Sequence, residues 1–482
     1  MPGMNSGAGA HVAAVVAAFR AALIHEGLLV LLVFGLLGAV WAAAGGRLSG
    51  DSAAAARRGA GPGAARAAGQ RADGRGADGR GADGRGADGR GADGEGAGEP
   101  AARRLLRIGF GLLWIFDGLL QAQPAMALGL PSQVVGPTAA TSPRWVQHVV
   151  NWGSATWSAH PVQAGAAAVW VQVGIGIWLM AAPDGPWSRL AGLASAGWGM
   201  VVWIFGESFG GIFAPGLTWL FGAPGAVSFY CVAGLLLALP DRYWRTPRLG
   251  RAVLAGMGAF LAGMAVLQAW PGRGFWQGVV HGRPATLPGM TAAMAQAPQP
   301  GFLAAWVRAF TGFDEAHGFA VNLFAVLILA AIGVILLAAR PLQAARPGLL
   351  RAAVACLAVL CLADWVLIED FGFFGGLGTD PNSMIPMLLL VVAGYLALAP
   401  RPVMAAGPDP AAGGVTAAAG GMTAVSGGVT AVAGPAAAGW LARVRPAALR
   451  QAIAGASARS VVCAGAVAVI MLGVAPMAAA AG

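Results

Sequence analysis

Lysine is absent from this chain of 482 residues, so all 30 of its basic residues are arginines. This bias is typical of a GC-rich genome, and no basic patch with interleaved aromatic residues indicates a nucleic-acid partner. Charge is also scarce, because only 10% of the residues are charged and 57% are hydrophobic. The composition excludes a soluble globular domain and predicts an integral membrane protein whose main contact is the lipid bilayer.

Cysteine and cofactor motifs are also rare. The four cysteines lie within predicted membrane spans, without disulfide or zinc spacing, and we expect them to be apolar packing residues. No P-loop, dinucleotide fingerprint, nucleophile elbow, HExxH or CxxCH motif occurs. One histidine and one carboxylate in each candidate cluster are too few for a closed metal site. We therefore expect neither a metal site nor a tightly bound cofactor, and it stays open whether the chain is an enzyme.

Apolar runs of about 20 residues are the dominant positive feature, and that length crosses the hydrocarbon core of a bilayer. They predict an all-α integral membrane protein with about ten transmembrane helices. The predicted spans lie near residues 27–46, 105–124, 163–182, 190–206, 222–240, 252–270, 319–339, 352–368, 384–400 and 460–478.

Eight of these spans form two matched sets of four. Gly111 and Gln121 recur 147 positions later as Gly258 and Gln268. Further matched positions at slightly larger offsets are His160 with His317, Gly176 with Gly333, and Gly234 with Gly394. Because four is an even number of spans, the two copies would lie parallel in the membrane. The sequence thus predicts two parallel tandem four-helix repeats, with one flanking helix at each end.

The chain divides at two segments of low complexity. Arg-Gly-Ala-Asp-Gly units and a stretch rich in Gly, Ala, Thr and Val cannot bury a core, which predicts disordered linkers. The positive-inside rule places these arginine-rich linkers in the cytoplasm and both termini outside a bacterial plasma membrane. The predicted divisions are 1–46 (amphipathic segment and helix), 47–103 (linker), 104–245 (first unit), 246–400 (second unit), 401–458 (linker) and 459–482 (final helix).

Polar side chains near the outer ends of the spans are the candidate functional residues, because such groups are costly in a membrane. The ligand-binding candidates are Gln121, His160 and Glu207 in the first unit, and Gln268, His317, Glu369 and Asp370 in the second. Two further acids, Asp117 and Asp364, lie alone within spans. Each histidine and acid could form a hydrogen-bonded clamp between helix ends, or a site that handles protons or a quinone headgroup.

Two further features have alternative interpretations. Asp380 and Ser383 follow a glycine-rich segment, where they suit either capping of the next helix or contact with a ligand. The glycine-rich segment itself should line a cavity or pack under a lid. Tryptophans near the predicted outer face favour an interfacial belt over a binding site, and the segments near 143–152 and 302–312 are expected to lie on the membrane surface.

The opening helix of the first unit carries a family resemblance. Its sequence, Arg104-Leu-Leu-Arg-Ile-Gly-Phe-Gly-Leu-Leu-Trp-Ile-Phe-Asp-Gly118, resembles that of DoxX/DoxD-type proteins, which form small four-helix membrane bundles. The resemblance extends to the second unit through Arg251 and Gly258. The chain is also similar to a group of membrane proteins from GC-rich bacteria that share the segment Gly375–Ser383.

The DoxX resemblance implies a membrane component of a quinone-linked redox system, with a quinone as ligand and a redox or assembly protein as partner. It maps no catalytic residue onto this chain. Two other functions remain open, namely a small-solute or ion transporter and a structural or assembly subunit without its own ligand. A continuous polar path between the two membrane faces would favour transport, but the inner halves of the spans look almost uniformly apolar.

Overall fold

The structure is a computed structural model that describes residues 4–59, 99–374, 377–398 and 458–481. This part of the chain is nearly all-α, and the expected fold class is confirmed at that level. The described residues include one small antiparallel hairpin, formed by β1 (Val279–Val280) and β2 (Arg283–Pro284).

The helices fall into two successive groups. Up to the end of the first unit they are α1 (Met4–Gly59), α2 (Ala101–Gln121), α3 (Met126–Gly129), α4 (Gly136–Ala139), α5 (Arg144–Ala159), α6 (Pro161–Ala181), α7 (Gly185–Phe205), α8 (Ala226–Ala238) and α9 (Asp241–Trp244). The later helices are α10 (Pro247–Ala269), α11 (Thr286–Met294), α12 (Gly301–Leu337), α13 (Ala339–Ala345), α14 (Pro347–Leu367), α15 (Met384–Leu396) and α16 (Ala458–Ala481).

Six helices in the described residues are long and apolar enough to cross a membrane, which supports a membrane-embedded protein. They are segments of α1, α6, α10, α12, α14 and α16. A seventh span results if α2 and the segment Met126–Ala139, which meet at 89°, are counted together. The apolar helices α8 and α15 have only 13 residues each, and the number ten therefore stays a prediction.

The linkers predicted from the sequence are only partly visible. Helix α1 continues through Gly59, past the expected linker start at residue 47, because the Ala53–Ala56 run favours helix. Most of the first linker, residues 60–98, and the second linker, 401–458 apart from its last residue, lie outside the described residues.

Eight helices pack as two four-helix units. The first unit consists of α2, α6, α7 and α8, and the second of α10, α12, α14 and α15. In each unit the first helix packs against the second and the third against the fourth. The units meet where α15 packs against α2 and α8, while α1 and α16 pack beside α6. One hydrophobic core runs through both units.

Matched glycines occupy matched helix crossings. A Cβ atom added to Gly176 would lie 2.6 Å from the carbonyl oxygen of Gly111, where α6 crosses α2. A Cβ atom added to Gly258 would lie 2.7 Å from the carbonyl oxygen of Gly333, where α10 crosses α12. Only glycine permits such close backbone approach. The first two helices of each unit therefore cross at corresponding positions.

The two ends of the bundle differ in chemistry. At one end, called the arginine end, buried Arg103 donates hydrogen bonds to Pro183 O, Ser188 Oγ and Leu237 O and forms an ion pair with Asp241. Arg107 lies at the same end, where it pairs with Glu99 and donates to the last carbonyls of α6. The opposite end, called the glutamine end, contains the C-termini of α2 and α10 with Gln121 and Gln268.

Candidate functional site

The same turn follows the third helix of each unit. The indole N–H of Trp203 donates to Pro224 O at 2.8 Å, and that of Trp365 donates to Pro381 O at 2.8 Å. In the turn that follows each tryptophan, a phenylalanine adopts a positive φ angle, namely Phe209 (62°) and Phe371 (61°). Such backbone is unfavourable for aromatic residues, so the surrounding contacts must hold it in place.

In each unit a glutamate of this turn accepts hydrogen bonds from the N-terminus of the fourth helix. Glu207 accepts hydrogen bonds from the backbone N–H of Val227 at 3.2 and 3.4 Å, at the start of α8. Glu369 accepts from the N–H groups of Ser383 (3.2 Å) and Met384 (3.3 Å), at the start of α15. Each carboxylate thus binds backbone donors that a helix N-terminus leaves free.

This geometry shows which acid of the second unit matches Glu207. Both Glu369 and Asp370 are candidates from the sequence. In the structure Glu369 is the counterpart of Glu207, while Asp370 (φ 48°) takes the place of Ser208 (φ 51°). Asp370 is buried, with its Oδ1 atom lacking a hydrogen-bond partner.

A cavity of about 360 Å³ lies at the glutamine end of the first unit. Its walls come from α5, α6, α7, the turn after α7, and the π-helical segment Leu130–Val135. Most of the lining is apolar or aromatic, including Trp152, Trp157, Trp198 and Phe205. The polar lining side chains are Gln121, Ser154, Thr156, Gln172, Glu207, Thr379 and Asp380. No arginine or histidine is among these lining residues.

Two amides in this lining are buried without hydrogen bonds. Gln121 is 6% exposed and Gln172 is 3% exposed, yet the Oε1 atom of each lacks a partner among the described residues. The indole N–H of Trp198 is also buried without a partner. Leaving a buried polar group unpaired costs about 1–3 kcal/mol. Three such groups around one cavity indicate a site that a polar ligand or water completes.

The acids of the cavity lack a basic partner in its lining. Burial, and secondarily the charge of Asp380, raises the pKa of Glu207 well above its usual range. Burial also raises the pKa of Asp380. Asp117 lies one helical turn before Gln121, close enough to interact with Tyr230, Glu207 and Asp380. Its Oδ1 atom has no hydrogen bond of ordinary geometry. Protonated carboxyl groups are therefore favoured here.

The second unit supplies part of this first-unit cavity. Gln123 of the α2–α3 turn donates to Gly378 O at 3.0 Å, which fixes the loop that carries Thr379 and Asp380. Asp380 accepts from Thr379 Oγ1 and Asn382 N, each at 2.8 Å. The carboxylate thus stabilises its own turn and lines the cavity, whereas Glu369 caps α15. Of the two roles that the sequence leaves open for Ser383, capping by its side chain is not observed, because its hydroxyl donates to Gly222 O at 2.5 Å.

Both polar side-chain atoms of the matching amide in the second unit have hydrogen-bond partners. The Thr218 hydroxyl, from a first-unit loop, donates to Gln268 Oε1, and Gln268 Nε2 donates to Asn322 Oδ1 at 2.7 Å. Gln268 is completely buried. Asp364 takes the place of cavity-lining Val202 and lies beside Glu369, with both carboxylate oxygens unpaired. Gln268 is therefore a structural residue rather than a ligand contact.

Neither histidine joins the predicted clusters. His160 lies at the break between α5 and α6 (φ −135°), outside the cavity lining, and its imidazole makes no hydrogen bond to the described residues. His317 marks the same break within α12 (φ −129°). Its exposed imidazole stacks on Phe313 and contacts Phe313 O at 3.0 Å. The chain turns at both positions, which directs the rings to the helix junctions and forms no clamp with an acid.

Three further predictions concern metal ligands, tryptophans and polar residues within the spans. Within the part of the chain that the structure describes, no group of three His, Cys, Asp or Glu residues could hold a metal ion. Trp145, Trp152, Trp270 and Trp306 are exposed, in keeping with an interfacial belt. Trp152 and the partly buried Trp157 also line the cavity. Sequence reasoning missed Gln172, although a glutamine in the middle of an apolar span is a detectable signal.

Comparison with known proteins gave no match, whether to protein-family models, to curated protein sequences or to solved structures. The functional proposal therefore depends on the geometry of the cavity.

Proposed function

We propose that this chain is a multi-pass protein of the bacterial plasma membrane whose first unit binds the headgroup of a quinone-type ligand. The cavity carries the proposal, because it combines apolar walls with buried amides that lack partners. A quinone has a flat ring, polar oxygens at opposite edges and an apolar tail. Small-molecule sites commonly combine apolar walls with a few placed polar groups.

Each part of the headgroup has a counterpart in the lining. The ring fits among Trp152, Trp157 and Trp198, where aromatic faces favour stacked or edge contacts. The ring oxygens fit the amides of Gln121 and Gln172. Glu207, whose pKa is raised by burial, can exchange a proton with the ligand. The cavity size suits a headgroup, while the tail would extend into lipid.

The proposal extends to the architecture. Matched turns, matched glutamate caps and matched glycine crossings support a tandem duplication of a DoxX-like four-helix unit, with the copies parallel. We propose ten spans, with the glutamine end and both termini outside and the arginine-rich linkers cytoplasmic. The resemblance of the opening helix supports a place in a quinone-linked redox system, beside a redox or assembly protein.

Transport is a weaker proposal for this chain. A transporter would need a polar path from the cavity to the arginine end. Leu106, Phe110 and Ala191 are fully buried between Asp117 and the Arg103 cluster, and they make that region apolar. An assembly subunit without a ligand would leave the unpaired amides unexplained. The quinone proposal accounts for both the apolar region between the cavity and the arginine end and the unpaired amides of the cavity.

The experiment is a binding titration in detergent. A short-chain ubiquinone or menaquinone analogue should quench the tryptophan fluorescence of the purified protein saturably, because three tryptophans line the cavity. Val202→Phe, which fills the cavity from α7, should weaken binding by about tenfold or more. Leu193→Phe is the matched control, since Leu193 is exposed on the same helix. Non-saturable quenching that is identical in both variants would contradict the proposal.

A further inference from the structure

Comparison with the second unit shows which hydrogen-bond donor the Gln121 side chain lacks. In that unit a hydroxyl group, from Thr218, donates a hydrogen bond to the side-chain oxygen of Gln268. Gln121 is the corresponding residue of the first unit, and its side-chain oxygen is buried with no donor. The corresponding loop from the other unit brings Thr379 and Asp380 to the cavity wall, but neither donates to Gln121. The place of the Thr218 hydroxyl is thus unfilled by protein in the first unit.

A second difference leaves the amide free on its other side. Asn322, which accepts from Gln268, is replaced at the matched first-unit position by Gly165. The Phe19 ring of α1 packs against Gly165 and offers no hydrogen bond. Neither partner of the second-unit amide therefore has a first-unit equivalent.

The remaining unpaired atoms around the cavity need a ligand group that both donates and accepts hydrogen bonds. Gln172 Oε1 needs a donor, whereas the Trp198 indole N–H needs an acceptor. A hydroxyl both donates and accepts, so it can serve either kind of partner. A ring carbonyl or an ether oxygen only accepts. Rotating either amide by half a turn would exchange its oxygen and nitrogen, and a hydroxyl would still fit.

We infer that the cavity binds its ring-bearing ligand in the hydroxyl-bearing form, a quinol or related phenol, with one hydroxyl donating to Gln121 in the place that Thr218 takes at Gln268. This inference rests on the proposed function and names the form of the ligand. The second hydroxyl lies at Gln172 and Trp198. The ring occupies the aromatic part of the lining.

The charges around the site agree with a neutral hydroxyl ligand. The titratable groups facing the cavity or its floor are Glu207, Asp380, Asp117 and Tyr230, with Glu369 next to Asp380. α5 and α6 contribute no titratable side chain to the lining. Without a basic residue in the lining, an anionic ligand is disfavoured. Carboxyl groups accept hydrogen bonds from hydroxyls in either protonation state.

The test uses two ligands that share a ring and an alkyl chain and differ at their two oxygen substituents. A 2-alkyl hydroquinone and its 1,4-dimethyl ether share the ring and the chain, but the ether cannot donate. Titrated anaerobically into the purified full-length protein, the hydroquinone should bind at least about tenfold more tightly, as expected for hydrogen bonds to otherwise unpaired buried groups. Gln121→Leu should reduce that ratio to less than about threefold, and Gln172→Leu should reduce it as well. Gln268→Leu is the matched control and should leave the ratio unchanged.

The outcomes separate this inference from the function on which it rests. If hydroquinone and ether bind saturably with equal affinity, the inference is overturned, while the cavity remains a ligand site. A ratio that survives both Gln121→Leu and Gln172→Leu would also overturn it. If hydroquinone, ether and quinone all fail to bind a folded protein, the proposed function fails first.

Discussion

The two four-helix units share backbone features and differ in polar content. Both have a glycine crossing between their first two helices, a tryptophan bound to a proline carbonyl, and a glutamate at the start of the fourth helix. Their opening helices differ. The buried polar face of α2 carries Arg103, Arg107, Asp117 and Gln121, whereas the matched positions of α10 are Gly250, Leu254, Met264 and Gln268.

This difference locates the candidate site. Features shared by both units depend on backbone contacts and short hydrogen bonds, which any four-helix unit of this shape needs. The open cavity and the unpaired amides belong to the first unit, where Gln121 lacks the partners that satisfy Gln268. The second unit supplies Asp380 to the first-unit site through its loop. The second unit therefore contributes a residue to the first-unit site and does not form a second copy of that site.

The glycine crossings should be the most sensitive shared feature. Gly176→Leu and Gly333→Leu each force a side chain against backbone atoms, and each should cost about 4 kcal/mol or prevent folding. Gly197→Leu and Gly256→Leu are the controls, because nothing lies within 4 Å of a Cβ atom at either position. Unfolding in mixed detergent and SDS micelles measures all four. If only one of the two crossing variants were destabilised, the units would not be equivalent scaffolds.

The arginine end should be sensitive in the first unit alone. Arg103→Ala removes a buried guanidinium from Ser188 and from the carbonyls of Pro183 and Leu237, and should cost about 3 kcal/mol. The partly exposed Asp241 carboxylate contributes little to that figure because solvent screens it. Arg104→Ala, next to it but exposed, should change stability by less than about 0.5 kcal/mol. Equal losses for the two variants would show that Arg103 is not an anchor.

The glutamate caps predict a pH dependence of stability. Burial raises the pKa of Glu369 from 4.5 to about 8. A raised carboxyl pKa stabilises the folded state fully below about pH 4.5, and this contribution is lost as the pH rises towards about 8. Glu369→Gln should remove this part of the dependence, while Glu369→Ala should lose about 1–2 kcal/mol because both N–H donors are left unpaired. An unchanged pH profile in Glu369→Gln would contradict the assignment.

The smallest shared effect should come from the tryptophan hydrogen bonds. Trp203→Phe and Trp365→Phe each remove one N–H bond to a proline carbonyl and should each cost about 1–2 kcal/mol. The same unfolding assay applies, with Trp270→Phe as the exposed control. A difference of more than about 2 kcal/mol between Trp203→Phe and Trp365→Phe would mean that the matched turns contribute unequally to stability.

Much of the scaffold could be predicted from the sequence. Apolar runs predict membrane helices, and the matched glycines Gly111, Gly176, Gly258 and Gly333 of the sequence lie at the helix crossings of the structure. These signals are local, or they recur at fixed offsets. The number of spans stays a prediction, because the helices observed at two of the predicted spans, α8 and α15, have only 13 residues each.

The site was less predictable because it depends on contacts between distant segments. Gln121 and Glu207 were predicted together and do line one cavity, but His160 does not. Asp380 enters the cavity from the other unit, more than 250 residues from the helix that carries Gln121. The difference between Gln121 and Gln268 depends on Thr218 and Asn322, and hydrogen bonds across such separations leave no periodic signal.

The most direct test of the central claim compares the two matched amides. Gln121→Leu and Gln268→Leu remove the same group from corresponding positions, and anaerobic binding of a 2-alkyl hydroquinone to each folded variant is measured by titration. The account predicts that Gln121→Leu weakens binding by about tenfold and that Gln268→Leu leaves the dissociation constant unchanged. Equal losses, or a loss confined to Gln268→Leu, would contradict the assignment of the site to the first unit.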